Sequence, residues 1–335
     1  MRVVVVGLGS MGKRRIRLLK QYQDDIEIIG IDFQVERRKE AEELFGIQTS
    51  DDLECILKEE DIDAVFVSTA PLSHNKIIHT ALSYSCHVFT EINLVSDGYE
   101  ENMKSAHEKG VELFLSSTFL YREEIKYIRE QVTALTKQKL NYTYHVGQYL
   151  PDWHPWENYK DFFVGKKETN ACREIMAIDM PWLVKVFGKI KNIQVMKHKT
   201  TTLDIDYPDT YFMLIEHENG NQGSFQVDVV SRKAVRNLEI YNEDVYFQWD
   251  GSPEGLSVYD VKEKKSKKIS LYHEIEQRKE YSNFVIENAY FSEIQSFFAL
   301  IEKKEKALYG FQDDLEILDW INWIEGETKE KKRDI

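Results

Sequence analysis

Three stretches of this chain hold residues whose types and spacing suit chemistry. The first is Gly7-Leu8-Gly9-Ser10-Met11-Gly12, with Asp32 twenty residues beyond it. Glycine at 7, 9 and 12 lets the backbone turn tightly and lets a phosphate approach N–H groups at a helix start, where the dipole favours an anion. An acid at this distance accepts hydrogen bonds from ribose hydroxyls. The expected site is a dinucleotide cradle: Gly7, Gly9, Ser10, Met11 and Gly12 at the pyrophosphate, Asp32 on the adenosine ribose, and Arg37 or Arg38 over the adenine. Asp32 would repel a phosphate on that ribose, so NAD is favoured over NADP. Cations follow directly at Lys13, Arg14, Arg15 and Arg17. A bound pyrophosphate would relieve their conflict with the dipole, but the favoured reading is a solvated basic face.

The second stretch is divided among strand ends. Thr69-Ala70-Pro71-Leu72-Ser73-His74 and Glu91-Ile92-Asn93 each follow a short apolar run, and Ser116 to Arg122 follows a third. If those runs are parallel strands, all three lie at their carboxyl ends, where doubly wound sheets bind ligands. Thr69, Ala70, Pro71, His74, Glu91 and Asn93 are therefore expected to line the cofactor crevice. For His74 alone, a loop or cap role is the simpler expectation than catalysis.

The third stretch, Gly147 to Arg173, is crowded with Tyr149, Trp153, His154, Trp156, Tyr159, Phe162 and Phe163, beside Asp152, Lys166, Lys167 and Glu168. Aromatic faces flanked by acids and amides suit a sugar or cyclitol, whose ring C–H groups pack on them while hydroxyls take hydrogen bonds. A loop of this length also needs an apolar cluster of its own, and the composition fits either role.

The elements that must position these residues follow from periodicity. Met1 to Val6, Glu27 to Ile31, Asp63 to Ser68, His87 to Thr90 and Glu112 to Leu115 read as buried strands. They alternate with helices from Met11 to about Tyr22, Arg37 to Phe45, Asn75 to Ser83 with Ser73 as N-cap, and Tyr99 to Lys109. That alternation predicts an α/β fold: an N-terminal Rossmann domain, residues 1–120, with a doubly wound parallel sheet. A helix from about Tyr121 to Leu135 leaves it. The pattern then changes to successive strands with Asn219-Gly220 and Asp250-Gly251 turns: Asp209 to Glu216, Gln222 to Val229, Arg236 to Tyr241, Val245 to Trp249 and Leu256 to Asp260. Residues 121–335 are thus expected to form an α+β domain with a large, open, mostly antiparallel sheet. Helices are expected at Glu174 to Phe187, Phe284 to Lys304 and Phe311 to Glu325, with a fraying charged tail from Gly326 to Ile335.

Bulk properties narrow the partners. A formal charge of -14 repels nucleic acid and anionic lipid, and the basic residues read as scattered rather than gathered in one strip. No apolar run approaches the roughly 18 residues of a membrane span, and the short N-terminal run leads straight into the glycine loop, so a cytoplasmic protein is expected. Cys55, Cys86 and Cys172 lack CxxC spacing, which predicts reduced thiols and no zinc or other metal site. Cys55 and Cys86 read as small buried residues; Cys172, beside Arg173 and Glu174, has a lesser reading as an activated thiol.

Together the glycine loop, Asp32, Asp63 to His74, His87-Val88-Phe89-Thr90-Glu91, Tyr121-Arg122 and Val186-Phe187-Gly188 resemble the Gfo/Idh/MocA (glucose-fructose oxidoreductase and inositol dehydrogenase) family over nearly the whole chain. The resemblance implies NAD(P)-dependent hydride transfer on a sugar or cyclitol, and a homodimer or homotetramer through the exposed face of the C-terminal sheet. It also exposes two departures. Ile92 stands where the family carries a lysine that hydrogen-bonds the reacting hydroxyl, with Asn93 in place of a proline. Aligning on Phe187-Gly188 puts Glu174 at the family's acid and Ile178 at its acid/base histidine.

A proton must still leave the alcohol when hydride leaves its carbon. The expected proton-transfer residues are His154 first, then Glu174 and Lys166, with Lys167 and Tyr149 as alternatives. Arg122 and Arg173 are available to hold an oxyanion or carboxylate, and Tyr149, Trp153 and Trp156 to pack the substrate. The leading expectation is an oxidoreductase acting on a sugar, sugar acid, cyclitol or nucleotide-sugar. The alternatives are an NAD-using epimerase, lyase or glycosidase without net redox change, and a non-catalytic NAD-binding sensor.

Overall fold

The computed structural model describes residues 1–135, 138–153, 158–278, 282 and 284–326. The chain forms two compact units that are not simple sequence halves: Met1–Thr118 with Tyr290–Glu316, and Phe119–Ala289 with the segment from Ile317 onward.

In the first unit, the valine run of β1 (Arg2–Val6) is buried on both faces, as a central parallel strand requires. It is followed by α1 (Ser10–Tyr22), β2 (Glu27–Ile31), α2 (Val35–Phe45), β3 (Gln48–Ser50) and α3 (Leu53–Glu59). The second half is β4 (Ala64–Val67), a 3₁₀ turn at Pro71–Ser73, α4 (His74–Ser83), β5 (His87–Thr90), α5 (Tyr99–Lys109) and β6 (Leu113–Leu115). All strands are parallel in the order β3-β2-β1-β4-β5-β6. Two half-sheets therefore diverge from β1, and the carboxyl ends of β1 and β4 flank the switch point where such sheets bind dinucleotides.

One aromatic row ties this sheet to a late segment of the chain. Phe66, Phe89 and Phe114 occupy matching positions on β4, β5 and β6 and stack at centroid separations of 4.9 and 5.0 Å. Phe297, in α8 (Glu287–Ile301), meets all three rings edge-on at 5.3 to 5.7 Å.

The second unit starts with α6 (Glu123–Ala134), β7 (Asn141–Gly147) and, after short 3₁₀ turns, α7 (Ala171–Phe187). Then come β8 (Ile190–His198), β9 (Thr210–His217), β10 (Gln222–Asp228), β11 (Val235–Tyr241), β12 (Tyr246–Trp249), β13 (Ser257–Asp260) and β14 (Lys265–Lys268); α9 (Phe311–Glu325) is the last helix. The eight strands run β14-β13-β12-β11-β7-β10-β9-β8, antiparallel except for the β7–β10 pair. One sheet face packs under α7, where Tyr142 stacks on Phe187 at 4.2 Å and Tyr144 meets Trp182 edge-on at 5.1 Å. The opposite face carries Thr143, His145, Met196, Phe212, Leu214 and Gln226 around an open groove of about 570 Å³.

Several expectations need correction here. Ser73 does not cap α4 with its side chain; its hydroxyl bonds Thr69 Oγ1 and the Ala70 carbonyl, both at 2.7 Å. Cys55 is exposed rather than buried, while Cys86 is buried as expected. The basic residues are not wholly scattered: Lys262, Lys264, Lys265, Lys267 and Lys268 crowd the hairpin ending in β14, and such charges blunt a free sheet edge. The expected fraying tail beyond Gly326 lies outside the described residues.

Candidate functional site

The glycine loop is built as a phosphate cradle must be. Gly7 has φ +91°, and a Cβ there would lie 2.6 Å from the Ser68 carbonyl oxygen. At Gly12 a Cβ would lie 1.8 Å from the carbonyl oxygen of Gly7, so loop and helix touch without room for a side chain. Gly9 differs. It is the N-cap of α1 with no side-chain cap bond, and the nearest atom to a Cβ there would be Arg37 Nη1 at 3.8 Å. Gly9 is thus an open flank beside a helix N-terminus, which fits an anionic pyrophosphate.

Asp32 lies at the end of β2, buried, with Oδ2 accepting from Leu8 N–H at 2.9 Å and Oδ1 from Gln34 N–H at 2.9 Å. The glycine loop is therefore anchored to the acid expected to hold the ribose. Arg37 Nη1 stands 3.6 Å from Asp32 Oδ2 with its side chain 42% exposed, and Arg38 donates to the Asp32 carbonyl at 2.7 Å.

Thr69, His74 and Asn93 form one pivot between the ends of β4 and β5, with His74 and Asn93 buried. His74 Nε2 lies 2.9 Å from the Thr69 carbonyl and Nδ1 lies 2.6 Å from the Asn93 amide. Burial lowers the imidazole pKa, so the ring is neutral and has one N–H to give. That N–H belongs to Nε2, because the Thr69 carbonyl can only accept. The structure sets Asn93 Oδ1 against Nδ1 and leaves the amide nitrogen without a partner among the described residues, so turning the amide over would let that nitrogen donate to Nδ1. His74 is a spacer holding two strand ends in register.

The basic run after Gly12 departs from expectation. Arg14 and Arg15 are 3% and 0% exposed. Arg15 crosses beneath the strand ends, where Nε and Nη2 donate to Glu91 at 2.6 and 3.1 Å and Nη2 also donates to Glu293 at 2.8 Å. Glu293, in α8, accepts further from Ser116 Oγ (3.0 Å), Ser117 N–H (2.7 Å) and Thr118 Oγ1 (3.2 Å). Sequence reading missed this network. The only signal for Arg15 is a cation where the helix dipole disfavours one, and nothing marks Glu293 as its partner 278 positions away.

In the second unit the candidates divide sharply. Arg122 and Arg173 are 2% and 3% exposed and already engaged. Arg122 makes a two-pronged pair with Glu124 and donates to the Phe284 carbonyl. Arg173 pairs with Glu325 and bonds Asn322 Oδ1. Both therefore brace the unit, which corrects their expected role in holding substrate. Cys172 is fully buried and its thiol is pushed well up, so the activated-thiol reading fails.

Glu174 behaves otherwise. Asn170 caps α7 through the Arg173 N–H at 2.8 Å, and Glu174 sits in the first turn. Its Oε2 is sealed from solvent without a hydrogen-bond partner among the described residues. Burial pushes its carboxyl up to about 7, into the range of a general acid or base near neutral pH.

The aromatic loop partly satisfies itself. Trp153 Nε1 donates to the Gln148 carbonyl at 3.0 Å, Arg232 lies 4.1 Å over the Tyr149 ring, and Phe162 and Phe163 pack at 4.3 Å. Lys166 and Lys167 are exposed. His154 and Trp156 lie outside the described residues. Among the described residues there is no cluster of metal-ligating side chains and no helix long and apolar enough to cross a membrane.

Comparison with known proteins agrees with this geometry. Residues 1–116 match the GFO_IDH_MocA model, an oxidoreductase family with an NAD-binding Rossmann fold. No curated protein matches the chain in sequence. Among solved structures, the chain is similar to the WlbA dehydrogenase from Chromobacterium violaceum in complex with NADH and UDP-GlcNAcA (15% identity, TM-score 0.76, covering 97% of this chain and 92% of that one). It is similar also to levoglucosan dehydrogenase with NADH and L-sorbose (13% identity, TM-score 0.80, 98% and 96%). A third is biliverdin reductase from Synechocystis with biliverdin and NADP+ (13% identity, TM-score 0.75, 96% and 97%). At these identities the structures establish a shared fold, and the match of residues 1–116 shows an NAD-binding Rossmann unit similar to that of the GFO_IDH_MocA oxidoreductases.

Proposed function

We propose that this enzyme transfers hydride between NAD and a hydroxyl-bearing carbon of a sugar, sugar acid, cyclitol or nucleotide-sugar, with Glu174 taking or returning the hydroxyl proton. Hydride chemistry is what a bound nicotinamide supplies; the chain must hold the dinucleotide, orient the substrate and move one proton. Gly7, Gly9, Ser10, Met11 and Gly12 would hold the pyrophosphate. Asp32 and Arg37 would hold the adenosine end, and the turn Thr69, Ala70, Pro71 with Glu91 and Asn93 would line the remainder. NAD is preferred to NADP because Asp32 brings a buried negative charge to the ribose position.

The carrying observation is Glu174, whose Oε2 is sealed from solvent without a hydrogen-bond partner among the described residues and whose carboxyl is raised to about 7. A carboxyl so placed can accept a proton from an alcohol at neutral pH, which Ile92 and Ile178 cannot. Sugar-type substrates are supported by the nucleotide-sugar and L-sorbose in the similar structures and by Tyr149 and Trp153 near the same stretch of chain. The test is a panel of sugars, sugar acids and nucleotide-sugars offered with NAD+, following NADH. Turnover that survives Glu174→Gln and is lost in His154→Ala moves the proton to His154, and loss in Lys166→Ala alone moves it to Lys166.

A second reading is favoured by Ile92 and Ile178 themselves. On this reading, without a lysine at the hydroxyl, the hydride returns to the substrate, giving epimerase, lyase or glycosidase chemistry without net redox change. Tightly retained NAD and product without NADH would mark it. A sensor without catalysis would bind NAD and turn over nothing.

The open sheet face supports self-association as a homodimer or homotetramer. Met196, Phe212 and Leu214 are 64%, 36% and 59% exposed along one groove, an apolar surface of the kind that marks an interface.

A further inference from the structure

We infer that Glu293 is a positioning residue for the nicotinamide half of the cofactor site, acting through Arg15 on Glu91 and through three donors on the loop after β6. The inference rests on the proposed dinucleotide reading and deepens it. In a sheet of order 3-2-1-4-5-6, the adenosine half of a dinucleotide belongs to β1, β2 and β3 and the other half to β4, β5 and β6. Glu91 ends β5, and Ser116 to Thr118 follow β6. Both segments converge on one carboxylate.

The geometry leaves Glu293 little other freedom. It is fully buried, and its Oε1 accepts from Ser116 Oγ and Ser117 N–H while Oε2 accepts from Arg15 Nη2 and Thr118 Oγ1. Arg15 is fully buried too, and the same Nη2 reaches Glu91 and Ser116 Oγ (3.3 Å). Its guanidinium lies 4.4 Å over the Phe89 ring, which fixes its plane against β5. Two acids around one buried arginine define a single arrangement, since any rotation leaves a buried charge unpaired. None of the six residues in this network is at the glycine loop's anion-facing flank or at Asp32. The network therefore bears on one half of the cofactor only.

That asymmetry supplies a test without substrate. ADP-ribose carries the adenosine and pyrophosphate of NADH and lacks the nicotinamide. In the full-length protein, Glu293→Gln should weaken NADH binding by roughly tenfold, the scale of one lost charge-assisted hydrogen bond, and leave ADP-ribose affinity within about twofold. Asp32→Asn should weaken both together. Ser116→Ala combined with Thr118→Val removes two donors while sparing the charges, and should shift the same ratio in the same direction if Glu293→Gln does not fold. Glu293→Asp should restore part of it. Equal loss of both ligands, or no change in their ratio, in a folded variant overturns the positioning role. Failure of the unaltered protein to bind either ligand overturns the cofactor reading itself.

Discussion

Glu174 and Ile178 stand one turn apart on the same side of α7, and from Ala171 to Leu183 they are the two residues not fully buried. Oε2 of the acid is sealed from solvent, and its neighbour one turn on is the apolar Ile178. No cation among the described residues stabilises the charged form of Glu174, and burial sets its titration.

Activity should therefore rise with pH through a single carboxyl near 7 when measured in the direction of alcohol oxidation. Glu174→Gln should lower kcat by about 10²- to 10⁴-fold and remove that limb of the pH profile. A profile unchanged in the variant would assign the proton elsewhere.

The same shift has a consequence for stability, with the opposite benefit. Glu174 is easiest to keep folded when protonated, so its contribution is full below the unfolded pKa near 4.5 and is lost as pH rises through about 7. Glu174→Gln should accordingly stabilise the protein at pH 8 by up to roughly 3 kcal/mol, and change little at pH 4. Thermal melts at the two pH values read this directly, and destabilisation at pH 8 would contradict the burial account.

Gly9 and Gly12 separate binding from folding. Gly12→Ala drives a methyl into the Gly7 carbonyl and should cost about 3 kcal/mol or more. Gly9→Ala meets nothing closer than 3.8 Å and should leave the melting temperature within about 2 °C while weakening NAD binding. A cofactor affinity unaffected by Gly9→Ala would place the pyrophosphate elsewhere.

How far these features were legible depended on whether their causes were local. The valines of β1, the glycine loop and Asp32 announce themselves because each needs only its neighbours in sequence. That the sheet is parallel and doubly wound followed from the alternation of strands and helices, whereas its strand order is seen only in the structure. β3 did not, since Gln48, Thr49 and Ser50 carry no apolar signal and pair only because β2 offers an edge. β8 was hidden by a register shift between Ile190 and Asn192, which breaks the two-residue period. In β14, the lysines that protect an edge also disguise a strand as a charged loop. In the candidate site, Glu174 was found through resemblance, whereas the burial of Arg15 and the arrival of Glu293 depend on tertiary packing.

Cofactor choice follows from Asp32. Ligand that binds only the folded state stabilises it by mass action, reaching about 2.7 kcal/mol at a hundred times Kd. NAD should raise the melting temperature more than NADP at equal concentration, because Asp32 is buried and its oxygens face the Leu8 and Gln34 amides instead of a paired lysine. Arg37 opposes this preference, being near Asp32 and partly exposed. Asp32→Ser should therefore narrow or invert the preference by freeing Arg37 for a ribose phosphate, and adding Arg37→Ala should abolish the gain for NADP. An equal response of the unaltered protein to the two cofactors would remove Asp32 as the discriminating group.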